Sequence, residues 1–185
     1  MNNTDTTSFS EKLEERVLLI RRVSKKTTGG NYVTFSALVA VGDGKNRVGI
    51  GLGRGLEVPQ AINKALNYAK KHLLVIPVTN SSLPHQVKLK FKAALVLLKP
   101  APLGTGLKVG SVARVILDLA GIHNASGKII GSRNQVVNTY AIIEALKLLR
   151  PRKPRNLEFT PEVFQGHFVK NTNLSKLNKG SVVTG

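Results

Sequence analysis

Residues 32–53 read YVTFSALVAVGDGKNRVGIGLG, and this stretch decides the fold of the first half of the chain. Residues 32–41 are rich in β-branched and aromatic side chains that alternate between two faces, which is the pattern of a β-strand. The GDG sequence at 42–44 supplies turn chemistry. Residues 47–53 are therefore predicted to return as the second strand of an antiparallel hairpin.

Four alternating glycines, Gly49, Gly51, Gly53 and Gly55, leave one face of this second strand without side chains. Two interpretations fit that pattern: a close approach by a ligand or another backbone, or a thin, twisted strand packed under a helix. A helix is predicted next, from Pro59 to about residue 72, because proline is well tolerated at a first helical turn. It carries one apolar stripe and, on the opposite side, a basic face.

Before the hairpin, residues 13–23 combine apolar and charged positions, and this amphipathic stretch predicts a short helix or a helix that runs into a strand. Residues 21–30, RRVSKKTTGG, place four cations ahead of a glycine pair. Because glycine permits the positive φ of a tight reversal, we interpret this segment as the tip of a basic loop.

In the second half, residues 75–85, VIPVTNSSLPH, contain two prolines and several polar turn formers, which favours a domain boundary. Residues 86–99 predict one strand that is half exposed at its start and buried at its end. The loop at 100–110 leads into a helix that Gly121 terminates. A final helix is predicted from about residue 133 to 149, and Ser132 with Gln135 fits a capping box at its start.

Charge is the strongest functional signal in the composition. The chain carries 28 Lys and Arg against 10 Asp and Glu, a net charge of +18, and residues 58–117 hold nine cations and no carboxylate. Solubility needs a net charge of only about 2 to 8, so a solvated surface explains this excess poorly and a polyanionic partner explains it better. A membrane surface is not favoured, because no apolar helix face with aromatic anchors is evident and Trp is absent.

Motifs for catalysis or metal binding are not found. The absence of Cys excludes disulfides and thiolate sites. Neither of the nucleotide-binding motifs GxxxxGK(S/T) and GxGxxG occurs, and the four histidines stand far apart. Asp118 and His123 are the one acid and imidazole pair close in sequence, without a serine nucleophile motif. We therefore expect no enzyme activity, no metal and no cofactor. The loop Gly104–Gly106 before a helix could hold a phosphate on free backbone N–H groups or simply connect two elements.

A longer pattern now stands out from these residues. It comprises RVSKKTTGG at 22–30, the hairpin sequence, EVPQAINKALNYAKK at 57–71, and KPAPLGTG at 99–106 with ARVILDLAGIHN at 113–124. In this order and spacing it closely resembles the bacterial form of the family of the fifth small-subunit ribosomal protein. Thr28, Arg54, Gly55 and Gln135 depart from the usual family pattern.

The resemblance implies an α+β fold in two parts. A domain similar to a double-stranded-RNA-binding domain, with a three-stranded sheet and a helix, spans residues 13–76, and a second α/β domain with a left-handed crossover and two helices spans 87–149. Residues 1–12 then form an extension, 77–86 a linker, and 150–185 a basic, extended tail.

The charge pattern and the resemblance together give the candidate RNA-binding residues: Arg21, Arg22, Ser24, Lys25, Lys26, Gly29, Gly30, Arg47, Arg54, Lys64, Lys71, Lys88, Lys90 and Lys92. A second set is expected at a protein interface or in a loop: Gly104, Thr105, Gly106 and Arg114.

The expected partners also follow from the resemblance. They are small-subunit ribosomal RNA near the decoding region and the spectinomycin site, messenger RNA at the channel where it enters, and the third, fourth and eighth small-subunit proteins. Neither a membrane nor a small-molecule substrate is expected. The implied location is the ribosome of the bacterial cytoplasm or of an organelle. A freestanding double-stranded-RNA-binding regulator or chaperone is the alternative function.

Overall fold

The computed structural model describes residues 13–151 of the chain. These residues form eight strands and three helices in the following order: β1 (Glu14–Thr27), β2 (Gly30–Gly42), β3 (Arg47–Gly55), α1 (Val58–Lys71), β4 (Leu73–Val75), β5 (Val87–Phe91), β6 (Ala94–Pro100), β7 (Leu107–Lys108), α2 (Ser111–Leu119), β8 (Ala125–Ile130) and α3 (Gln135–Lys147).

The first sheet is antiparallel, with the strand order β1-β2-β3-β4. The predicted hairpin of β2 and β3 is confirmed, and its register joins Val39 to Gly51. The α+β fold, with three strands and a helix in its first part, is also confirmed. The short strand β4, which pairs with the start of β3, adds a fourth strand that the sequence analysis did not include.

The first strand corrects the prediction for residues 13–23, which form no helix. Residues 14–27 pair with β2 along its whole length, from Glu14 opposite Gly42 to Thr27 opposite Gly30. Val17, Ile20 and Val23 are each more than 40% exposed, so this strand lacks the buried, alternating face by which a strand is recognised in sequence. The predicted basic loop is likewise mostly strand, because β1 ends at Thr27 and β2 begins at Gly30.

The glycines of β3 lie under α1, so the strand is packed under a helix as predicted, and the backbone that approaches its glycines is that of the helix. A Cβ atom on Gly49, Gly51 or Gly53 would clash with backbone carbonyl oxygens of the helix, and the opposing helix positions are the buried residues Ala61, Ala65 and Ala69. Small side chains on both elements let the helix backbone approach the strand closely. The bare face of β3 is therefore a packing surface.

The core consists of two clusters of buried side chains. The smaller one joins the first sheet to α1 through Val39, Val41, Ala65 and Ala69. The larger one contains residues of both halves, for example Ala40 and Val48 of the first sheet with Ile116, Ile142 and Leu146 of the later helices. The end of β2 is thus buried on both faces.

Residues 76–86 connect the two sheets in sequence, and two of them, Ile76 and Leu83, belong to the larger core cluster. Ile76, Leu83 and Pro84 are buried, and the hydroxyl of Ser82 donates a 2.7 Å hydrogen bond to the carbonyl of Asn124. The segment is therefore joined to the second half by buried contacts.

The second sheet is mixed, with the strand order β5-β6-β8-β7. Residues 86–99, predicted as one strand, form the hairpin of β5 and β6 instead, with Lys92 at a φ of 51° in the turn. Glycine is the usual residue in that left-handed conformation, so lysine gave no turn signal. Strands β7 and β8 pair in parallel, and α2 forms the crossover between them.

Both later helices are confirmed, with one correction at a helix start. Gly121, with a φ of 74°, follows the end of α2 as expected. The N-cap of α3 is Asn134, whose side-chain oxygen accepts a 3.1 Å hydrogen bond from the N–H of Val136. The predicted capping box is therefore wrong: Ser132 precedes the N-cap in the chain, and its hydroxyl accepts from the N–H of Asn134 instead.

Candidate nucleic-acid interface

The outer ends of β1 and β2, residues 20–32, form an exposed two-stranded extension that we call the basic arm. Every residue in it is exposed. Because neighbouring side chains of a strand point to opposite faces, Arg21 and Lys25 lie on one face of the arm and Arg22 and Lys26 on the other. Residues 20–32 contain no carboxylate. The arm therefore presents cations on both of its faces.

A narrow turn closes the arm. The hydroxyl of Thr27 donates a 2.8 Å hydrogen bond to the carbonyl of Gly30, which adopts a φ of 122°. A Cβ atom on Gly29 or on Gly30 would have no neighbour within 4 Å, so the tip has free space beside both glycines. Ser24 and the two glycines, three of the candidate residues, thus lie at or near a tip where a nucleic-acid backbone can approach closely.

Tyr32, which was not among the predicted candidates, also lies in the basic arm. In the antiparallel register Tyr32 lies directly opposite Lys25, and 52% of its surface is exposed. An exposed aromatic ring beside a cation is suited to stacking on a base or a ribose. Its exposure depends on the extent of β1, which the sequence did not reveal.

The helix α1 carries the next group of candidate cations. Lys64 and Lys71 are exposed on the face opposite the buried alanines, and within residues 13–151 neither forms an ion pair. The neighbouring Lys70 differs, because its ammonium lies 2.7 Å from the carboxylate of Glu15 in β1. Arg54 is exposed on β3 opposite Ser36.

Arg47 begins β3 beside a structured turn. Its guanidinium lies 3.8 Å from the carboxylate of Asp43, which accepts hydrogen bonds from the backbone N–H groups of Lys45, Asn46 and Arg47. Burial alone raises the pKa of Asp43, but hydrogen bonds from the backbone N–H groups of Arg47, Lys45, Asn46 and Asp43 itself outweigh it, so the pKa lies below its usual value. Arg47 thus has a partner within the fold.

The candidates Lys88, Lys90 and Lys92 lie on the second sheet, whereas the basic arm belongs to the first. Lys88 and Lys90 are exposed on one face of β5. The ammonium of Lys92 is 5.7 Å from the centre of the Phe91 ring, a cation–π contact at the hairpin turn. The predicted cations therefore lie on both halves of the fold, on the first sheet with its helix and on the β5–β6 hairpin of the second sheet.

The loop Gly104–Gly106 is held from within the chain. The side-chain oxygen of Asn124 accepts hydrogen bonds from the N–H groups of Gly104 and Gly106, at 3.1 and 3.2 Å, and the N–H of Thr105 donates to the carbonyl of Pro102. These N–H groups are engaged, so the phosphate-binding alternative for the loop is not supported. Arg114 donates a 3.3 Å hydrogen bond to the carbonyl of Leu107, which fixes it beside the loop.

The pair Asp118 and His123 lies at the surface, with 3.6 Å between Oδ1 and Nδ1 and at least half of each side chain exposed. Residues 13–151 contain no group of three or more His, Cys, Asp or Glu side chains placed to hold a metal ion. In the same part of the chain, no helix is long and apolar enough to cross a membrane.

Taken together, the two sheets, the helix that covers the first sheet and the exposed cations define a basic α+β protein of the nucleic-acid-associated class. Comparisons with known proteins agree with this class. Residues 13–77 match the ribosomal protein S5 N-terminal domain, and residues 89–157 match the ribosomal protein S5 C-terminal domain.

A curated relative extends the match across both halves. The small ribosomal subunit protein uS5 of Thermus thermophilus is 44% identical over 139 residues, which cover 75% of this chain and 86% of the relative. The same figures hold for the uS5 proteins of two individual strains of that species. This chain belongs to the ribosomal protein S5 family, in its bacterial form.

Proposed function

We propose that this chain is a structural constituent of the small ribosomal subunit that holds ribosomal RNA through phosphate neutralisation. The observation that carries this proposal is the basic arm, whose cations point to both faces and have no carboxylate beside them. A surface that only confers solubility has no need to concentrate one sign of charge on a narrow extension. Membership of the S5 family supports the same function.

The shape of the arm indicates how it engages RNA. A ribbon with cations on one face lies on a nucleic acid, whereas a ribbon with cations on both faces is neutralised best when RNA lies on each side. We therefore expect the arm to insert between RNA segments. Arg22 and Lys26 contact phosphates on one side, and Arg21 and Lys25 contact them on the other. Lys64, Lys71 and Arg54 provide further phosphate contacts outside the arm.

RNA recognition of this kind reads shape. Double-stranded RNA hides its base edges in a deep major groove, so proteins contact its phosphates and 2′-hydroxyls. Aromatic residues make up only 5% of the chain, too few for a reader that stacks many single-stranded bases. Ribosomal RNA helices near the decoding region and the spectinomycin site are the partners that family membership favours.

The neighbours proposed in the subunit are the third, fourth and eighth proteins. The loop Gly104–Gly106 and Arg114 are proposed to face the fourth protein, and the third and fourth proteins together with this chain are proposed to line the channel where messenger RNA enters. The rigid support of the loop by Asn124 favours a role at a fixed protein interface. Through this interface the chain is proposed to support decoding accuracy.

We propose that the two halves of the chain form two domains with different roles. Residues 13–76 form the RNA-binding domain, 77–86 the linker and 87–149 the second α/β domain, with residues 1–12 as an extension and 150–185 as a basic tail. Both of these end segments lie outside the described residues, apart from 150 and 151. The proposed location is the ribosome, in the bacterial cytoplasm or, as the alternative, in an organelle. No cofactor, metal or turnover is part of this function.

Sedimentation tests the proposal directly. In a sucrose gradient of a lysate, the tagged chain should travel with the small subunit in a near equal amount, and Arg22→Glu, Lys25→Glu and Lys26→Glu together should shift it toward the top. A chain that sediments apart from the subunit yet still binds duplex RNA would identify a freestanding RNA-binding regulator or chaperone instead. Turnover of a substrate by the purified chain would contradict both functions.

A further inference from the structure

The second sheet has one face that no other part of residues 13–151 covers. Side chains on its inner face, such as Leu89, Phe91 and Ile129, pack into the large core cluster. Their neighbours along each strand point the other way, to an outer face whose members are Lys88, Lys90, Leu95, Leu97, Lys99, Lys108, Ser126, Lys128 and Ile130. We call this outer surface the lysine face.

The strand register gives the arrangement of the lysine face. One row across the sheet contains Lys88, Leu97 and Lys128, and the adjacent row contains Lys99, Ser126 and Lys108. With strands about 4.8 Å apart, the two lysines of each row lie about 10 Å apart at the backbone. The lysines are therefore spread over all four strands of the second sheet.

The charge of this face is of one sign. All five lysines are exposed, none forms an ion pair within residues 13–151, and the strands of the second sheet contain no carboxylate. Three members of the face are apolar: Leu95 and Leu97 are half-buried, and Ile130 is 53% exposed. A protein partner would favour an apolar centre with a charged rim. On this face Leu95, Leu97 and Ile130 adjoin one another, but Lys99 and Lys128 stand beside them on the two inner strands, β6 and β8, so the cations are not confined to a rim.

We propose that the lysine face is a second RNA-binding surface, which holds the phosphate backbone of an RNA helix independently of the basic arm. The proposal rests on the proposed function and adds Lys99, Lys108 and Lys128 to the residues that contact RNA. A sheet face lined with flexible ammonium groups can follow a duplex backbone without reading its sequence. Two cationic surfaces on two sheets that share one core would fix two RNA segments relative to each other.

Salt dependence of binding tests the number of phosphates that the face neutralises. The variant carrying Lys99→Gln, Lys108→Gln and Lys128→Gln should reduce the slope of log Kd against log salt by about three, one for each lost phosphate contact. The matched control carries Lys170→Gln, Lys176→Gln and Lys179→Gln, which removes the same charge outside the described residues and should change the slope less. Equal slopes for the two variants would overturn the proposal.

A tethered probe separates this proposal from the proposed function. The chain has no cysteine, so Ser126→Cys provides a unique attachment point for an RNA-cleaving iron chelate at the centre of the face. In reconstituted small subunits we expect cleavage of an RNA helix from this position, and little from a control probe at Asp118→Cys on α2. Incorporation into the subunit without RNA cleavage from position 126 would overturn the lysine face only. Failure of the chain to incorporate or to bind RNA would overturn the proposed function itself.

Discussion

The backbone N–H of Gly44, in the turn between β2 and β3, donates a 2.9 Å hydrogen bond to the carbonyl of Leu119 at the end of α2. Gly42 lies beside the same residue, and a Cβ atom there would clash with the carbonyl of Leu119. The first sheet and the second half therefore meet through backbone contact as well as through shared core. The RNA-binding surfaces proposed for the two sheets are therefore carried by one compact unit with a shared core.

Because α1 packs directly on the glycine face of β3, one added methyl group there should reduce stability strongly. Gly51→Ala should lower the free energy of unfolding by about 1–3 kcal/mol, because the new Cβ would meet the carbonyl of Ala65. Urea denaturation measures this change. Gly29→Ala is the control, because a Cβ there has no neighbour within 4 Å, and a similar loss in both variants would contradict the close packing of α1.

Asn124 should control the order of the loop that faces the proposed protein interface. Its side chain is buried, and it holds two N–H groups of the loop. Asn124→Ala leaves these donors without an acceptor and should cost about 1–3 kcal/mol. Hydrogen exchange at Gly104 and Gly106 should accelerate, whereas Asn124→Asp keeps an acceptor oxygen and should preserve protection. Unchanged exchange in the alanine variant would show that the loop is ordered by other contacts.

We expect the carboxylate of Asp43 to make the free energy of unfolding fall in acid. Its folded-state pKa is lowered, so the carboxylate contributes stability that is fully present above the unfolded pKa of about 3.9 and is lost as the pH falls through the folded value. Unfolding free energies measured between about pH 6 and pH 2.5 should decline less steeply for Asp43→Asn, which does not titrate. Parallel pH profiles for the two proteins would contradict this role of Asp43.

The basic arm should dominate RNA affinity. Reversing Arg22, Lys25 and Lys26 to Glu replaces attraction to phosphate by repulsion on both faces of the arm, and should weaken binding to ribosomal RNA roughly tenfold or more. The same three-charge reversal at Lys170, Lys176 and Lys179 should weaken binding less. Filter binding at fixed salt compares the two, and equal losses would count against the arm.

Sequence alone predicted the parts of the fold in which side chains bury themselves in a regular pattern. The alternation in β2, the apolar stripe of α1 and the glycine after α2 each left such a pattern. The exposed half of β1 shows no such burial pattern in the sequence, because this part of the strand is held by backbone pairing with β2. The turn at Lys92 was missed because lysine occupies a left-handed conformation in which glycine is the usual residue.

The candidate cations could be named from sequence, but their grouping could not. Strand register decides which lysines share a face. Lys88 and Lys128 fall in the same row because both pair with Leu97 of β6, the strand that lies between β5 and β8. Tyr32 was missed because its position opposite Lys25 requires the full length of β1. Charge reveals the kind of partner, whereas the surfaces that meet it follow from long-range pairing.

The salt dependence of the affinity for ribosomal RNA tests the central claim most directly. If the arm and its neighbours contact about six to ten phosphates, the binding constant should fall by about 10³ to 10⁵ between 50 and 200 mM salt, because each contact releases condensed counterions. A binding constant that stays flat across this range would show that phosphate neutralisation does not hold the chain on RNA.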